Sequence, residues 1–370
     1  MKNVIVIFGG ESCEHDVSVI TGVMTLNAIN KEVYNPIPVY VAKNGRWYTH
    51  SQMCDVSTFK RVNLQKLDEV ILMPSDNCLY KIKKGKVKML CEVYSAVNCC
   101  HGGIGEGGGL YGIFKQSRIP CTSSGLFASA VAMDKEFTKI ALKAIGIKCL
   151  PCVKIERDGY FLRKEDVLRL VEIRLGFPVI IKPSKLGSSI GIKIANDESE
   201  LERGLDIAFG YDEKVIIEKA LQNYREINCA VYQVGGEVIA SECEEVFSSN
   251  ALLTFEDKYQ SPSKKEFPAQ IDETIERRIK NISKIIYRRL SFSGVIRIDY
   301  LLKDEEVFVN EINSVPGSLA YYLFCKTTEE FSRLIGSLVE ESVDNFAAAL
   351  QSKTTFQSGI LNLSSAKAKG

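Results

Sequence analysis

The sequence predicts a mixed α/β protein of two or three domains that begins with a doubly wound parallel sheet. Its 370 residues suffice for several substantial cores. Residues 3–8 (NVIVIF) form a continuous apolar run, as buried parallel strands do, and Gly9, Gly10 and a polar turn precede a helical pattern from near Val17. A strand, a glycine turn and a helix in this order are typical of an open α/β sheet. Further strands are predicted at residues 37–41, 70–73 and 96–100.

Composition excludes several classes of protein. A net charge of +1 disfavours nucleic-acid binding. No apolar run approaches the roughly 20 residues that span a bilayer, so no membrane association is expected. The twelve cysteines include a single CxxC, at Cys149 and Cys152, and there are only three histidines, so a zinc site is not expected. Without an export signal these cysteines are expected to be reduced thiols, and the protein cytoplasmic.

The N-terminal half contains three candidate sites. Glu14 follows the first strand at the mouth of the predicted sheet, where such folds bind ligands, although helix capping is the alternative. The segment HGGIGEGGGLYG, residues 101–112, is rich in glycine, which suits close approach of the backbone to a ligand. His101 at its entry is either a neutral hydrogen-bonding group or a cation facing a carboxylate. Lys135 and Lys139 lie one turn apart on a predicted helix, where a solvated basic face is the default.

A predicted hairpin, GFPVIIKPSKLGSSIGIKI at residues 176–194, has Lys182 at its base and Ser188 in a small, donor-rich tip. Such a tip can close over the phosphates of a nucleotide, and a generic β-turn is the alternative. Glu218 and Glu226, in the next two predicted strands, can hydrogen-bond an adenine edge and a ribose. Acidic residues 242–247 are expected on a solvated strand face, and the loop at 248–259 is a candidate lid.

Paired oxygen donors on two neighbouring strands predict a metal site. Residues 295–302 carry Arg297 and Asp299, and residues 306–313 carry Glu311 and Asn313, each pair at i and i+2 and therefore on one strand face. Mg²⁺ bound to phosphate suits such a set. Two half-buried strands with polar residues on the wet face are the alternative. Outside these strands, the sequence predicts an amphipathic helix at 273–290, a capping box at Thr327 before a final helix, and a flexible tail.

Taken together, these motifs resemble the D-alanine–D-alanine ligase family of the ATP-grasp superfamily over about residues 3–346. The matching segments are GGESCEHDVS, HGGIGEGG, MDKEFTK, FPVIIKPSKLGSSIGI, IEKAL with REI, EDKY, IRIDY and NEINSVPG. The resemblance implies an N-terminal α/β domain at residues 1–124, two α+β subdomains at 125–222 and 223–347 that sandwich ATP, and a flexible tail at 348–370.

Members of that family join two D-amino acids for peptidoglycan synthesis. The resemblance implies that a first D-alanine is activated by ATP as an acyl phosphate, which the amine of a second amino acid then attacks. It also implies Mg²⁺, as two ions for which Mn²⁺ can substitute, and a homodimer.

The resemblance also implies roles for individual residues. Metal ligands match Asp299, Glu311 and Asn313. Phosphate-binding lysines match Lys135 and Lys182, and adenine and ribose contacts match Glu218, Lys219, Leu221 and Glu226. Glu14 matches the group that holds the first ammonium, and Ser188 and Tyr259 match its partners in a hydrogen-bonded cluster that closes the lid. Lys258, in the same lid segment, is expected to bind the nucleotide. Arg297 and the Gly317 N–H match the oxyanion donors. His101 and Tyr322 are expected to contact substrate.

The sequence departs from the family after Pro316-Gly317. Members commonly place there a serine that binds the carboxylate of the second substrate, and here Tyr322 falls at that position. Two alternatives therefore stay open: a ligase for D-alanyl-D-serine or another dipeptide, and a non-catalytic ATP-binding regulator on the same fold.

Overall fold

The computed structural model describes residues 1–247 and 264–362, and Lys258 and Tyr259 lie outside these ranges. Three β-sheets and the helices packed on them make up the described parts. The strands are β1 (Lys2–Gly9), β2 (Tyr34–Val41), β3 (Trp47–Thr49), β4 (Asp68–Met73), β5 (Asp76–Lys83), β6 (Lys86–Glu92), β7 (Ser95–Asn98), β8 (Cys152–Glu156), β9 (Val179–Pro183), β10 (Lys193–Ala195), β11 (Lys214–Lys219), β12 (Arg225–Val234), β13 (Glu237–Ala240), β14 (Glu244–Val246), β15 (Lys265–Glu266), β16 (Ile296–Lys303) and β17 (Glu306–Asn313).

The α-helices of the described parts are α1 (His15–Ala28), α2 (Gly103–Glu106), α3 (Gly109–Gln116), α4 (Leu126–Met133), α5 (Lys135–Ala144), α6 (Arg157–Leu162), α7 (Lys164–Leu175), α8 (Glu198–Ala208), α9 (Glu273–Arg289) and α10 (Thr328–Leu350). Short 3-10 turns lie at Val56–Phe59, Leu64–Lys66, Gly317–Leu323 and Ile360–Asn362.

The N-terminal sheet is only partly parallel. Its strand order is β6-β5-β4-β3-β2-β1-β7. The central strand β1 pairs in parallel with β2 and β7, as the sequence predicts, and Val4–Phe8 within it are fully buried. The strands from β3 to β6 extend this sheet in antiparallel pairs. The predicted mixed α/β fold with a parallel centre is therefore confirmed, and the antiparallel strands β3 to β6 are an addition on one side, where short connections between strands favour antiparallel pairing.

The other two sheets are antiparallel. The middle sheet has the order β10-β9-β11-β8, so the predicted hairpin is confirmed as β9 and β10. The third sheet has the order β15-β14-β12-β16-β17, with β13 paired to β12, and α9 packs against it. These sheets fall within the ranges 1–124, 125–222 and 223–347, whose boundaries remain predictions.

Helix α10 returns to the N-terminal domain and shares a hydrophobic core with α1 and β1. Its predicted capping box is confirmed: the Thr327 side chain accepts from the Glu330 N–H, and Glu330 accepts from the Thr327 N–H. The helix continues to Leu350, so residues 348–350 belong to it and not to the predicted tail.

Glu244 and Glu245 are 3% and 4% exposed, so the expectation of a solvated acidic face on β14 is wrong. Both carboxylates have basic neighbours: Arg225 donates to Glu245, and the Lys265 ammonium lies 3.7 Å from Glu244.

Among the helices of the described residues, none has the length and apolar character to span a membrane.

Candidate active site

The candidate site is a cleft formed by all three sheets. A cavity of about 260 Å³ is lined by α1, the glycine-rich loop, β12, β16, β17 and the turn after Pro316. Two smaller cavities of about 30 and 60 Å³ share Glu311 with it; the first extends toward α4 and α5, and the second toward β9 and β11. Of the expected site residues within the described ranges, all but Lys219 line one of these three cavities.

The pairing of β16 with β17 brings the predicted metal ligands together. Asp299 lies opposite Glu311, and Arg297 lies opposite Asn313. Arg297 donates to both oxygens of Asp299, at 2.7 and 2.8 Å, and the Asn313 amide donates to Asp299 at 3.2 Å. Although burial opposes the charge of Arg297, Asp299 and Tyr322 raise the pKa of its guanidinium above the usual value.

These side chains fit a Mg²⁺ site. Two carboxylates and an amide oxygen on adjacent strands are hard oxygen donors, as Mg²⁺ requires, and they leave other positions to phosphate and water. In the part of the chain that the structure describes, no three His, Cys, Asp or Glu side chains are arranged to hold a metal ion by themselves, so the proposed set includes the amide oxygen of Asn313.

Three buried charged side chains, Lys139, Lys182 and Glu218, lie at or behind the wall of the cavity of about 60 Å³. Glu218 is 1% exposed and lies between Lys182 and Lys139, with N–O distances of 2.7 and 2.6 Å. Although burial alone would raise the pKa of Glu218, the two ammonium groups lower it to about 2. Lys182 also donates to Asn310 at 3.0 Å. The default of a solvated basic face is thus wrong for Lys139, which is 2% exposed.

Lys135 also points inward from the start of α5. Its ammonium donates to the backbone oxygen of Leu186 and lies 4.0 Å from Glu311. Burial lowers the pKa of Lys135, and the charge of Glu311 opposes that shift. Lys135 therefore links the tip of the hairpin to β17, the strand that carries the predicted metal ligands Glu311 and Asn313.

The side of the cleft that is expected to bind the nucleotide is formed by β9, β11 and β12. Lys182, Glu218, Leu221 and Glu226 line its cavity of about 60 Å³. The Lys219 side chain donates to the Phe177 carbonyl at 2.7 Å and does not line this cavity, so the expected ligand contact through its backbone remains a prediction.

The hairpin tip bonds to the N-terminal domain through Ser188, whose hydroxyl donates to Glu14. Ser188 and Ser189 have left-handed φ values of 51° and 59°. Gly187 lies so close that a Cβ there would be 2.8 Å from the Glu14 carboxylate. Glu14 therefore has a role beyond helix capping, and its side chain makes no capping bond to α1.

The glycine-rich loop contributes Glu106, which sequence reasoning did not identify as a site residue. Glu106 lines two of the cavities and accepts from the N–H groups of Gly102 and Val315, at 2.9 and 3.1 Å. Burial, with Glu14 nearby, raises the pKa of Glu106 to about 7. An acidic residue enclosed by glycines was the available signal.

The turn after Pro316 places Gly317 and Tyr322 on the cavity wall. Ser318, Leu319 and Ala320 all have left-handed φ values, between 50° and 53°, a strained conformation for residues with a side chain. The turn directs Tyr322 at Arg297, which donates to its hydroxyl at 3.3 Å. Lys265 lies over the Tyr322 ring, 5.1 Å from its centroid.

The fold and the cleft define an ATP-grasp enzyme that joins a carboxylate to an amine. The comparisons with known proteins agree. The family described as D-ala D-ala ligase N-terminus matches residues 3–124, and the family described as D-ala D-ala ligase C-terminus matches residues 141–341. The chain therefore belongs to the D-alanine–D-alanine ligase family.

Individual relatives cover nearly the whole chain. It is 35% identical over 356 residues to the D-alanine–D-alanine ligase of Thermosipho melanesiensis, covering 94% of this chain and 95% of the relative. It is 33% identical over 347 residues to that of Clostridium novyi, covering 93% and 97%.

Solved structures are similar too. The D-alanine–D-alanine ligase of Helicobacter pylori matches with a TM-score of 0.75 and 29% identity, covering 92% of this chain and 98% of that structure. The VanG D-Ala:D-Ser ligase of Enterococcus faecalis matches with a TM-score of 0.76 and 26% identity, covering 93% and 99%.

Proposed function

We propose that the protein uses ATP to activate the carboxylate of D-alanine and transfers the alanyl group to the amine of a second D-amino acid. A carboxylate oxygen of D-alanine attacks the γ-phosphorus, ADP leaves, and an acyl phosphate forms. The amine then attacks the acyl carbon and loses a proton, and phosphate leaves with the original carboxylate oxygen. The convergence of cations, oxygen donors and backbone N–H groups on one cleft carries this proposal.

The chain supplies each electrostatic requirement of the two steps. Lys135 and Lys182 neutralise phosphate charge, and Glu226 and the backbone near Leu221 hold the nucleoside. Glu14, oriented by Ser188, binds the ammonium of the first D-alanine. Arg297 and the Gly317 N–H face the oxyanion of the tetrahedral intermediate. Positioning and charge stabilisation, rather than covalent catalysis by a side chain, account for the expected rate.

Asp299, Glu311 and Asn313 would hold Mg²⁺. The ion would neutralise charge on the phosphates. Glu311→Gln is expected to lower turnover at least about 100-fold while the thermal unfolding midpoint hardly changes. Glu306→Gln, on the same strand in an exposed pair with Lys148, is the matched control and should retain full activity. Equal turnover of the Glu311 variant and the wild type would remove this assignment.

We propose that the second substrate, the acceptor, need not be D-alanine, and D-serine is the first alternative. Tyr322 occupies the position of the family's serine, and its hydroxyl accepts from Arg297. A phenol there changes the size and donor geometry of the end of the cavity that receives the second substrate. The similarity to a D-Ala:D-Ser ligase structure is consistent with a variable acceptor within this fold.

The direct test is ATP-dependent phosphate release with a panel of D- and L-amino acids, alone and paired with D-alanine, with products identified by mass spectrometry. D-alanine dependence is expected, with the dipeptide yield ranking the acceptors. Turnover only with L-amino acids would contradict the proposal. Tyr322→Ser is expected to shift the ranking toward D-alanine. The homodimer, the cytoplasmic location and the second metal ion remain predictions.

A further inference from the structure

One loop of the N-terminal domain holds both backbone groups of Val315. This residue precedes the Pro316-Gly317 pair that supplies the oxyanion N–H. Its carbonyl lies 2.7 Å from Nδ1 of His101, and its N–H donates to Glu106 at 3.1 Å. His101 and Glu106 both belong to the glycine-rich segment. This segment therefore fixes the backbone just before Pro316-Gly317 from the other side of the cleft.

The contacts of His101 determine its tautomer. A carbonyl can only accept, so Nδ1 must carry the hydrogen. Nε2 is then an acceptor. The Thr21 hydroxyl lies 2.8 Å from Nε2 and 3.1 Å from the Val17 carbonyl, and it donates to Nε2, the nearer of these two acceptors. Thr21 in turn accepts from the Ser318 N–H at 3.0 Å. Burial lowers the pKa of His101 to about 4, in agreement with a neutral ring. Both ring nitrogens therefore bond protein groups rather than the expected substrate.

Glu106 makes the second half of this arrangement. Its two carboxylate oxygens accept from different backbone segments, one from Val315 and one from Gly102. Its backbone oxygen also accepts from the Ser314 hydroxyl at 3.2 Å. Gly102 has φ +66°, and a Cβ there would lie 2.4 Å from the Ser12 hydroxyl, so the loop reaches this position only because it is glycine.

We propose that His101 and Glu106 are positioning residues that clamp Val315 and thereby aim the Gly317 N–H at the oxyanion formed during acyl transfer. This inference rests on the proposed function. The clamp acts on the second step, attack of the amine, because that step forms the tetrahedral oxyanion. Activation of the first D-alanine by ATP depends on Lys135, Lys182 and the proposed metal ligands, and the hydrogen bonds of His101 and Glu106 described above go to none of these. Glu14 and Glu311 lie near enough to raise the pKa of Glu106, so the first step is measured separately.

The two steps can be measured separately. Scrambling of ¹⁸O from the β–γ bridge of labelled ATP, in the presence of D-alanine, reports reversible acyl phosphate formation, and dipeptide formation reports the whole reaction. Glu106→Gln keeps the size of the side chain but replaces one acceptor oxygen with a donor. It is expected to slow dipeptide formation at least about 30-fold, with ¹⁸O scrambling and the KM for D-alanine within about threefold of the wild type. Glu11→Gln, an exposed change in the neighbouring loop, is the control.

Two variants of His101 test the clamp independently of Glu106→Gln. Asparagine can place an N–H near the position of Nδ1, so His101→Asn is expected to retain much of the dipeptide rate that His101→Ala loses. If scrambling and dipeptide formation fall together with a raised KM for D-alanine, Glu106 binds the donor ammonium directly and the clamp is wrong. Unchanged dipeptide formation in both Glu106→Gln and His101→Ala would also overturn it.

The clamp can be tested even in an inactive protein. Amide hydrogen exchange of residues 314–318, followed by mass spectrometry, should accelerate at least tenfold in Glu106→Gln and not in Glu11→Gln. If the wild type makes no dipeptide, the proposed function fails, and this comparison still decides the clamp. Equal exchange in all three proteins would overturn it.

Discussion

At the scale of single residues, Glu218 shows that a buried carboxylate needs positively charged neighbours. A carboxylate that is 1% exposed is tolerated because Lys139 and Lys182 both contact it. Removing the carboxylate would leave two ammonium groups in a low-dielectric site, which is more unfavourable than losing the pair itself. The contacts also hold Lys182 at the wall of the cleft, where we propose that the phosphates bind, so the triad would connect stability with nucleotide binding.

Glu218→Gln is therefore expected to lower the free energy of unfolding at pH 7 by about 3 kcal/mol. The folded-state pKa of Glu218, about 2, is below its usual value of 4.5, so its contribution is complete above about pH 4.5 and is lost as the pH falls through about 2. The stability difference between wild type and variant, measured by urea unfolding from pH 7 to 3, should shrink below pH 4.5. Glu156→Gln, in an exposed pair with Lys154, should behave as the wild type. A difference independent of pH would contradict the assignment.

The residue scale also shows what sequence could and could not predict. The position of Asp299, Glu311 and Asn313 on one face of two adjacent strands was predictable, because alternation along a strand fixes which side chains share a face. The burial of Lys139 was not predictable, because its partner lies on β11, far away in the chain. For Glu106 a sequence signal existed, an acidic residue among glycines, but its partner Val315, 209 positions further along the chain, was not predictable.

At the scale of elements, the tip between β9 and β10 is a strap over the cleft. Ser188 bonds it to Glu14 on the N-terminal side, and Leu186 bonds it to Lys135 on α5. The sequence predicted this hairpin and its small, donor-rich tip. It did not predict the left-handed backbone at Ser188 and Ser189 or the three left-handed residues after Gly317, because tertiary contacts impose these conformations.

Ser188→Ala is expected to lower kcat/KM for D-alanine about tenfold or more, since it removes a hydrogen bond to a charged carboxylate. Hydrogen exchange of residues 184–192 should rise in the same variant. Lys185→Gln, in an exposed pair with Glu213 of the same region, should change neither quantity. A Ser188 variant with normal kinetics would show that the strap does not orient Glu14.

At the scale of the whole molecule, the N-terminal domain and the third sheet meet at a close backbone contact. Ser124 donates to the Ser293 carbonyl at 2.7 Å, and Ser293 donates to the Ser123 carbonyl at 3.1 Å. Gly294, at φ +68°, lies so close that a Cβ would be 1.7 Å from the Thr122 carbonyl oxygen. This contact fixes the two sides of the cleft at one point, and no sequence pattern predicted it.

Gly294→Ala is expected to destabilise the protein by about 3 kcal/mol or more, because the clash adds to the strain of a left-handed alanine. Gly45→Ala is the matched control: it also has a left-handed φ, +78°, but a Cβ there meets nothing within 4 Å. Its effect should be about 1 kcal/mol. Thermal and urea unfolding measure both, and equal destabilisation of the two variants would show that the contact is dispensable.

The most direct test of the central claim follows one oxygen atom. D-alanine labelled with ¹⁸O at both carboxylate oxygens is incubated with the enzyme, ATP, Mg²⁺ and the best acceptor from the amino-acid panel, and the released phosphate is analysed by mass spectrometry. Activation as an acyl phosphate predicts one ¹⁸O atom in each phosphate released with product. Phosphate free of ¹⁸O, released while dipeptide forms, would contradict the account.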